Sequence, residues 1–244
     1  MNNVFTITII GTIVSLIGTG TGALLVFLFK NPDNKIMSLI LGVAGGLMLS
    51  VVTFDLLPEA FDIGGVPLGI GGVIIGSLFT AFIDEYLPDF GAMYSNKGEY
   101  FKMGILLSIG LAMHNFPEGL AIGSGFAAGS RLGIGLSIVI GAHDIPEGMA
   151  VAAPMSISGV NKWKTYLYTI LTAVPTGIGA FVGALLGEVS PIFITLCISF
   201  AGGTMLYIVC GELIPKSRSL FENFLSTLGI IAGVIIGIVI ISFI

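Results

Sequence analysis

The sequence AGGLMLSVVTFDLLPEA, residues 44–60, recurs later in the chain as AGGTMLYIVCGELIPKS, residues 201–217. The two stretches align without gaps, are identical at eight of 17 positions and place Asp55 opposite Glu212. Each is a largely apolar stretch of the kind found in a membrane-spanning helix. Chance similarity between glycine-rich apolar helices would not align a proline and an acidic residue. We therefore interpret the pair as an internal repeat.

The composition around this repeat is that of an integral membrane protein. Of 244 residues, 55% are hydrophobic and only 9% are charged, whereas about a quarter of the residues in a soluble domain are charged. The chain cannot cover a water-facing surface, so its solvent is the lipid bilayer and its expected location is the cell membrane. A net charge of −5 argues against a nucleic-acid partner.

Apolar runs of about 20 residues divide the chain into eight predicted spans and a single membrane domain, 1–244. The spans are 4–29, 36–57, 67–87, 101–127, 133–157, 165–187, 191–214 and 222–243. The basic residues in or beside the odd-numbered loops are Lys30, Lys35, Lys97, Lys102, Lys162, Lys164, Lys216 and Arg218. Only Arg131 lies in an even-numbered loop. By the positive-inside rule the odd loops are cytoplasmic and both termini are extracellular.

A second repeat lies at the centre of the chain, where LAMHNFPEG (111–119) matches IGAHDIPEG (140–148). Under this orientation the members of each repeated pair cross the membrane in opposite directions. Inverted repeats of this kind are typical of secondary transporters, whose sites lie near the membrane midplane. We predict an all-α fold of eight transmembrane helices in a 3+2+3 arrangement. The inverted repeat would relate 1–90 to 163–244 around central helices in 101–157.

The central repeat holds the two histidines of the chain, each followed four residues later by a glutamate. Because residues i and i+4 share a helical face, His114 with Glu118 and His143 with Glu147 form two clips at similar depth. Ionisable groups at that depth cost several kcal/mol unless they are paired, hydrated or bound to a metal. Imidazole with carboxylate suits Zn²⁺ first, and Cd²⁺, Fe²⁺ and Mn²⁺ also fit. The plainer alternative is a polar cluster that holds helices together.

Residues near the clips extend the candidate site. Asn115 and Asp144 directly follow the two histidines, and Glu212 is a further candidate near the end of the seventh span. With Glu118 and Glu147 ionised as well, the carboxylates of this set carry four negative charges, which two divalent ions would neutralise. Either two ions bind, or some of these carboxylates stay protonated. The charge count motivates the hypothesis of a binuclear site whose metal binding is linked to proton release. The sequence assigns no role to Asp55, Asp84 or Glu85.

Two prolines lie inside the clips. Pro117 and Pro146 each lack an amide donor and so free the carbonyl four residues earlier. Those carbonyls belong to Met113 and Ala142, beside the histidines. We expect the resulting kinks to open space at the ligands.

With these motifs the chain resembles the ZIP (Zrt-, Irt-like protein) family of metal transporters, and within it the short bacterial GufA-like branch. The resemblance covers essentially the whole chain and rests on HNFPEG, HDIPEG and ELIP in the fourth, fifth and seventh spans. It implies uptake of Zn²⁺ or a similar ion into the cytoplasm through a binuclear site. One implied ligand set is His114, Glu118, His143 and Glu147. The other implied set is Asn115, Asp144, Glu147 and Glu212.

Other functions stay open at this point. An intramembrane zinc hydrolase would need an activated water, but the chain has no HExxH pattern. A metal-gated channel would differ from a carrier only in rate. We expect no enzyme activity and no resident cofactor. Gly229, Gly233 and Gly237, spaced four residues apart, permit close helix contact, either within the chain or in a homodimer.

Overall fold

The computed structural model describes residues 3–28, 34–86, 98–186 and 191–242, and within them it contains helices and no strands. Eight helices in these ranges are long and apolar enough to cross a membrane, which confirms the predicted number of spans. The helices are α1 Val4–Leu28, α2 Asn34–Gly64, α3 Val66–Tyr86, α4 Gly98–Ala128, α5 Ser130–Ile157, α6 Lys162–Leu186, α7 Pro191–Leu220 and α8 Phe224–Ile241. Their outward faces carry large exposed apolar side chains, as expected in lipid.

Helices α2 and α7 each contain a π-helical turn, Val52–Leu56 in α2 and Val209–Leu213 in α7. The sequence predicted that both helices end just before Pro58 and Pro215, and this prediction was wrong, because each helix continues for one to two turns. Each proline lies in the first turn of the helix that follows the π-helical turn. A proline is tolerated in a first helical turn, where its missing N–H does not interrupt the ladder.

The eight helices pack as two groups of four. In the first group α4 packs on α6, α5 packs on α1, and both pairs also contact each other through α4 with α5 and α1 with α6. In the second group α2 packs on α8, α3 packs on α7, and α2 contacts α7. The groups meet where α4 contacts α7 and where α5 contacts α2. The central pair, α4 and α5, is therefore enclosed by helices from both ends of the chain.

The second group shows a repeat in its packing as well as in its sequence. A Cβ added at Gly46 would collide with the carbonyl oxygen of Ile230, and a Cβ at Gly203 would collide with that of Val73. The number of residues between Gly46 and Gly203 equals the number between Val73 and Ile230. It is also the number that separates the first repeat, which begins at residue 44, from the second, which begins at residue 201. The equivalence thus extends from α2 and α7 to α3 and α8. The division at 1–90 and 163–244 and the extracellular placement of both termini stay predictions.

The glycine stripe of α8 packs inside the chain. Gly229, Gly233 and Gly237 are buried, and each lies against α2, where Leu39, the Val43 carbonyl and Ser50 are their close neighbours. The stripe is therefore occupied by an intramolecular partner. This face of α8 therefore does not support the predicted homodimer, which stays a prediction.

Candidate metal site

Three side chains converge at one point between α4 and α5. Nε2 of His114 lies 3.1 Å from Oε1 of Glu118 and 3.4 Å from Oε1 of Glu147. One ligand atom from each residue lies within 4.8 Å of the other two. His114 is fully buried, Glu147 is 1% exposed and Glu118 is 9% exposed. One imidazole nitrogen and two carboxylates at this spacing form a donor set that suits a divalent transition-metal ion.

Local helix geometry and close packing produce this convergence. His114 and Glu118 share one face of α4 because they are four residues apart, as predicted. Helix α4 continues through Pro117 and α5 continues through Pro146, so both motifs stay helical. Glu147 then reaches the cluster from the facing helix.

The glycines that end both motifs let α4 and α5 approach their outer neighbours. A Cβ at Gly119 would collide with the carbonyl oxygen of Thr176 in α6, and a Cβ at Gly148 would collide with that of Thr19 in α1. Behind the site, Thr176 Oγ1 donates a 3.0 Å hydrogen bond to Ser15 Oγ. The site is thus backed by a tightly packed pair, α1 and α6.

The residues that follow the histidines are also buried. Asn115 and Asp144 are both 0% exposed. Nδ2 of Asn115 donates a 2.7 Å hydrogen bond to the backbone carbonyl of Thr172 in α6. Asp144 packs against Gly18 of α1, where an added Cβ would lie 2.6 Å from the Asp144 Cβ. The side chain of His143 lies outside the described residues, so its place in the site stays a prediction.

Glu212 lies in a different place from the cluster. It is half-buried in the π-helical turn of α7 and lines a cavity of about 290 Å³. The same cavity is lined by Leu106, which precedes His114 by about 12 Å along α4. The other lining residues are Asp84, Glu99, Lys102, Met103 and Lys216.

The cavity lined by Glu212 contains ion pairs that the sequence did not reveal. Lys102 Nζ lies 2.7 Å from Asp84 Oδ1, and the Tyr207 hydroxyl donates a 3.0 Å hydrogen bond to Asp84 Oδ2. Lys216 Nζ donates a 2.8 Å hydrogen bond to Glu99 Oε2. Asp84, whose role the sequence left open, therefore joins α3 to α4 and α7. No local spacing signals these pairs, because each partner comes from a different helix.

Comparison with known proteins gives the family. The family model described as ZIP Zinc transporter matches residues 91–241. The protein named zinc transporter ZupT of Chlorobium limicola is 34% identical over 244 residues, which cover 91% of this chain and 92% of that protein. The ZupT of Lysinibacillus sphaericus is 33% identical, with 91% of each chain covered. The zinc transporter ZTP29 of Arabidopsis thaliana is 34% identical over 82% of each chain.

The chain belongs to the ZIP family.

Membership of the ZIP family decides between the classes of function that the sequence left open. With eight apolar helices, the chain is a multi-pass protein of the cell membrane. It is a transporter of divalent metal ions, and the hydrolase alternative is excluded. The buried cluster on α4 and α5 fits this function, because it combines a donor set for a divalent ion with a position inside the helix bundle.

The structure brings together part of each ligand set that the ZIP resemblance implies. Of the first set it describes His114, Glu118 and Glu147 in contact range. Of the second set, Asn115 and Asp144 are buried on the two helices that carry the cluster, whereas Glu212 lines the separate cavity. Both complete sets stay predictions. Sequence reasoning missed the Thr172 carbonyl, although Pro175 in the sixth span was a signal for a freed carbonyl nearby.

Proposed function

We propose that this chain carries Zn²⁺ across the cell membrane into the cytoplasm through the site formed by His114, Glu118 and Glu147. The observation that carries the proposal is the convergence of one imidazole and two carboxylates, nearly excluded from solvent, inside a ZIP-family helix bundle. The relatives named as zinc transporters support Zn²⁺ as the first candidate. Cd²⁺, Fe²⁺ and Mn²⁺ suit the same mixed nitrogen and oxygen donors.

The three described donors, together with His143 as the predicted fourth ligand, match the coordination that zinc prefers. Zinc takes four ligands at about 2.0–2.2 Å from nitrogen and oxygen. In this arrangement Glu118 and Glu147 both approach the same imidazole nitrogen of His114, at 3.1 and 3.4 Å. Binding would draw the three ligand atoms around the ion.

The binuclear arrangement is the finer part of the proposal. Asp144 adds a third buried carboxylate, on the helix that carries Glu147. With Glu118, Glu147 and Asp144 ionised, one divalent ion leaves one carboxylate charge uncompensated, and that charge is available to a second ion. We therefore place the second ion at Asn115, Asp144 and Glu147. Glu212 would join this ion only after a movement between α4 and α7.

Alternating access follows from the two groups of helices. The site lies on α4 and α5, which are backed by α1 and α6, so the ligands belong to one group. The second group contacts them through α7 on α4 and α2 on α5. Movement of one group against the other would expose the site to each side of the membrane in turn.

The test is metal uptake into proteoliposomes that contain the purified chain, with Zn²⁺, Cd²⁺, Fe²⁺ and Mn²⁺ compared. Saturable uptake of Zn²⁺ by the wild type and its loss in Glu147→Ala would support transport through this site. Glu222→Ala removes an exposed carboxylate outside the site and is the matched control. Equal uptake by wild type and Glu147→Ala would refute the assigned site, and a flux that does not saturate would favour a channel over a carrier.

A further inference from the structure

The sixth helix is interrupted beside the metal site. Helix α6 consists of Lys162–Leu171 and Val174–Leu186, with a turn at Thr172 and Ala173 between them. Pro175 has no N–H to donate to the carbonyl of Leu171. The N–H of Thr176 donates to Ala173 at 3.2 Å rather than to Thr172, as it would in a regular α-helix. The break therefore releases the Thr172 carbonyl from the helical ladder.

The released carbonyl is used by Asn115. Its Nδ2 donates a 2.7 Å hydrogen bond to that carbonyl, and both residues are buried. Because a carbonyl can only accept, this bond fixes which end of the Asn115 amide faces α6. The opposite atom, Oδ1, is buried and accepts no hydrogen bond from any residue in the described parts of the chain. A buried carbonyl oxygen without a hydrogen-bond donor is costly, and a ligand that binds this oxygen would remove that cost.

The other motif meets a different neighbour at the corresponding position. Asp144 replaces asparagine in the second motif and packs against α1 at Gly18. The interval that relates the two repeats places Gly18 of α1 opposite Pro175 of α6. Helix α1 is continuous from Val4 to Leu28, so its carbonyls at this level belong to the helical ladder. Asparagine thus occurs where a freed carbonyl needs a donor, and aspartate occurs where none is released.

We propose that the break in α6 is a positioning device, in which the Thr172 carbonyl holds the Asn115 amide so that Oδ1 is presented to the transported ion. This inference rests on the proposed function. It also explains why the two motifs differ in charge at the residue after histidine. An aspartate at 115 would place a carboxylate oxygen against the Thr172 carbonyl, and the two acceptors would repel each other.

The test is a double-mutant cycle on Zn²⁺ affinity, measured by equilibrium dialysis of the full chain in detergent. Pro175→Ala restores the N–H at 175 and lets α6 become regular, so Thr172 would pair with Thr176 instead of Asn115. We expect Pro175→Ala to weaken Zn²⁺ binding by about tenfold, as for other partners that orient a ligand. Asn115→Ala removes the oriented ligand itself and should weaken Zn²⁺ binding by at least as much. The double variant should bind Zn²⁺ no more weakly than Asn115→Ala alone. Pro154→Ala removes another helix proline, on α5, and should leave the affinity unchanged.

Asn115→Asp gives a second test that leaves the backbone intact. It preserves size and a ligand oxygen but cannot donate to Thr172, so we expect weaker Zn²⁺ binding despite the added negative charge. Binding as tight as in the wild type, or an additive loss in the double-mutant cycle, would overturn the positioning role. Absence of Zn²⁺ binding to the wild-type chain would overturn the proposed function and this inference together. Zn²⁺ uptake should show the affinity loss as a raised KM with a smaller change in kcat.

Discussion

Replacement of Glu147 by glutamine should stabilise the protein without metal and remove its response to metal. The carboxylates of Glu118 and Glu147 converge on one imidazole nitrogen of His114, with ligand atoms no more than 4.8 Å apart. Two unit charges at that distance repel by about 3 kcal/mol at an effective dielectric constant of about 20. Glu147→Gln keeps the shape of the side chain and removes this repulsion. The free energy of unfolding without metal should therefore rise, by about 3 kcal/mol less the attraction to the His114 imidazole that the substitution also weakens.

The same substitution removes a charged ligand, so the affinity for Zn²⁺ should fall by about 100-fold or more, beyond the effect of losing an orienting partner. At a free Zn²⁺ concentration of about 100 times the wild-type Kd, binding stabilises the wild type by about 2.7 kcal/mol. With a Kd about 100-fold higher, the same concentration would stabilise the variant by only about 0.4 kcal/mol. The two effects have opposite signs and can be separated in one experiment.

The assay measures the thermal unfolding midpoint of the chain in nanodiscs by calorimetry, first with a chelator and then with Zn²⁺. Glu222→Gln removes an exposed carboxylate away from the cluster and should change neither value. The reasoning would be refuted if Glu147→Gln lowered the midpoint in chelator and kept the full shift with Zn²⁺. That result would mean that Glu147 has a structural partner and does not bind the ion.

Two further predictions concern packing and topology. Gly148→Ala should lower the free energy of unfolding by about 1–3 kcal/mol, because its Cβ would collide with the Thr19 carbonyl. Gly71→Ala, where a Cβ would meet nothing within 4 Å, should leave that free energy equal or slightly higher, and equal losses in the two variants would contradict the packing argument. In a chain without its native cysteines, a membrane-impermeant maleimide added to intact cells should label Asp62→Cys and not Glu222→Cys, since both positions are exposed and the second is expected in the cytoplasm. The opposite labelling would reverse the predicted orientation.

Much of the fold and part of the site could be predicted from local sequence patterns. Eight apolar runs give eight membrane helices, because backbone polar groups in lipid must be satisfied within the segment. The pairing of His114 with Glu118 follows from helical periodicity, which places residues four apart on one face. The helix ends at Pro58 and Pro215 were predicted wrongly, because a π-helical turn in α2 and α7 changes the register before each proline.

The sequence by itself determined the membrane-embedded class, the internal repeats and the residue types that bind metal, because these depend on composition and on spacing along one helix. Only the tertiary structure decided which helices meet. It placed Glu147 beside His114, separated Glu212 into a cavity with Asp84, and brought the Thr172 carbonyl to Asn115. These contacts depend on how far helices shift and rotate against one another. Glycine-to-carbonyl packing and breaks in the helical ladder set those shifts, and neither can be read from one helix alone.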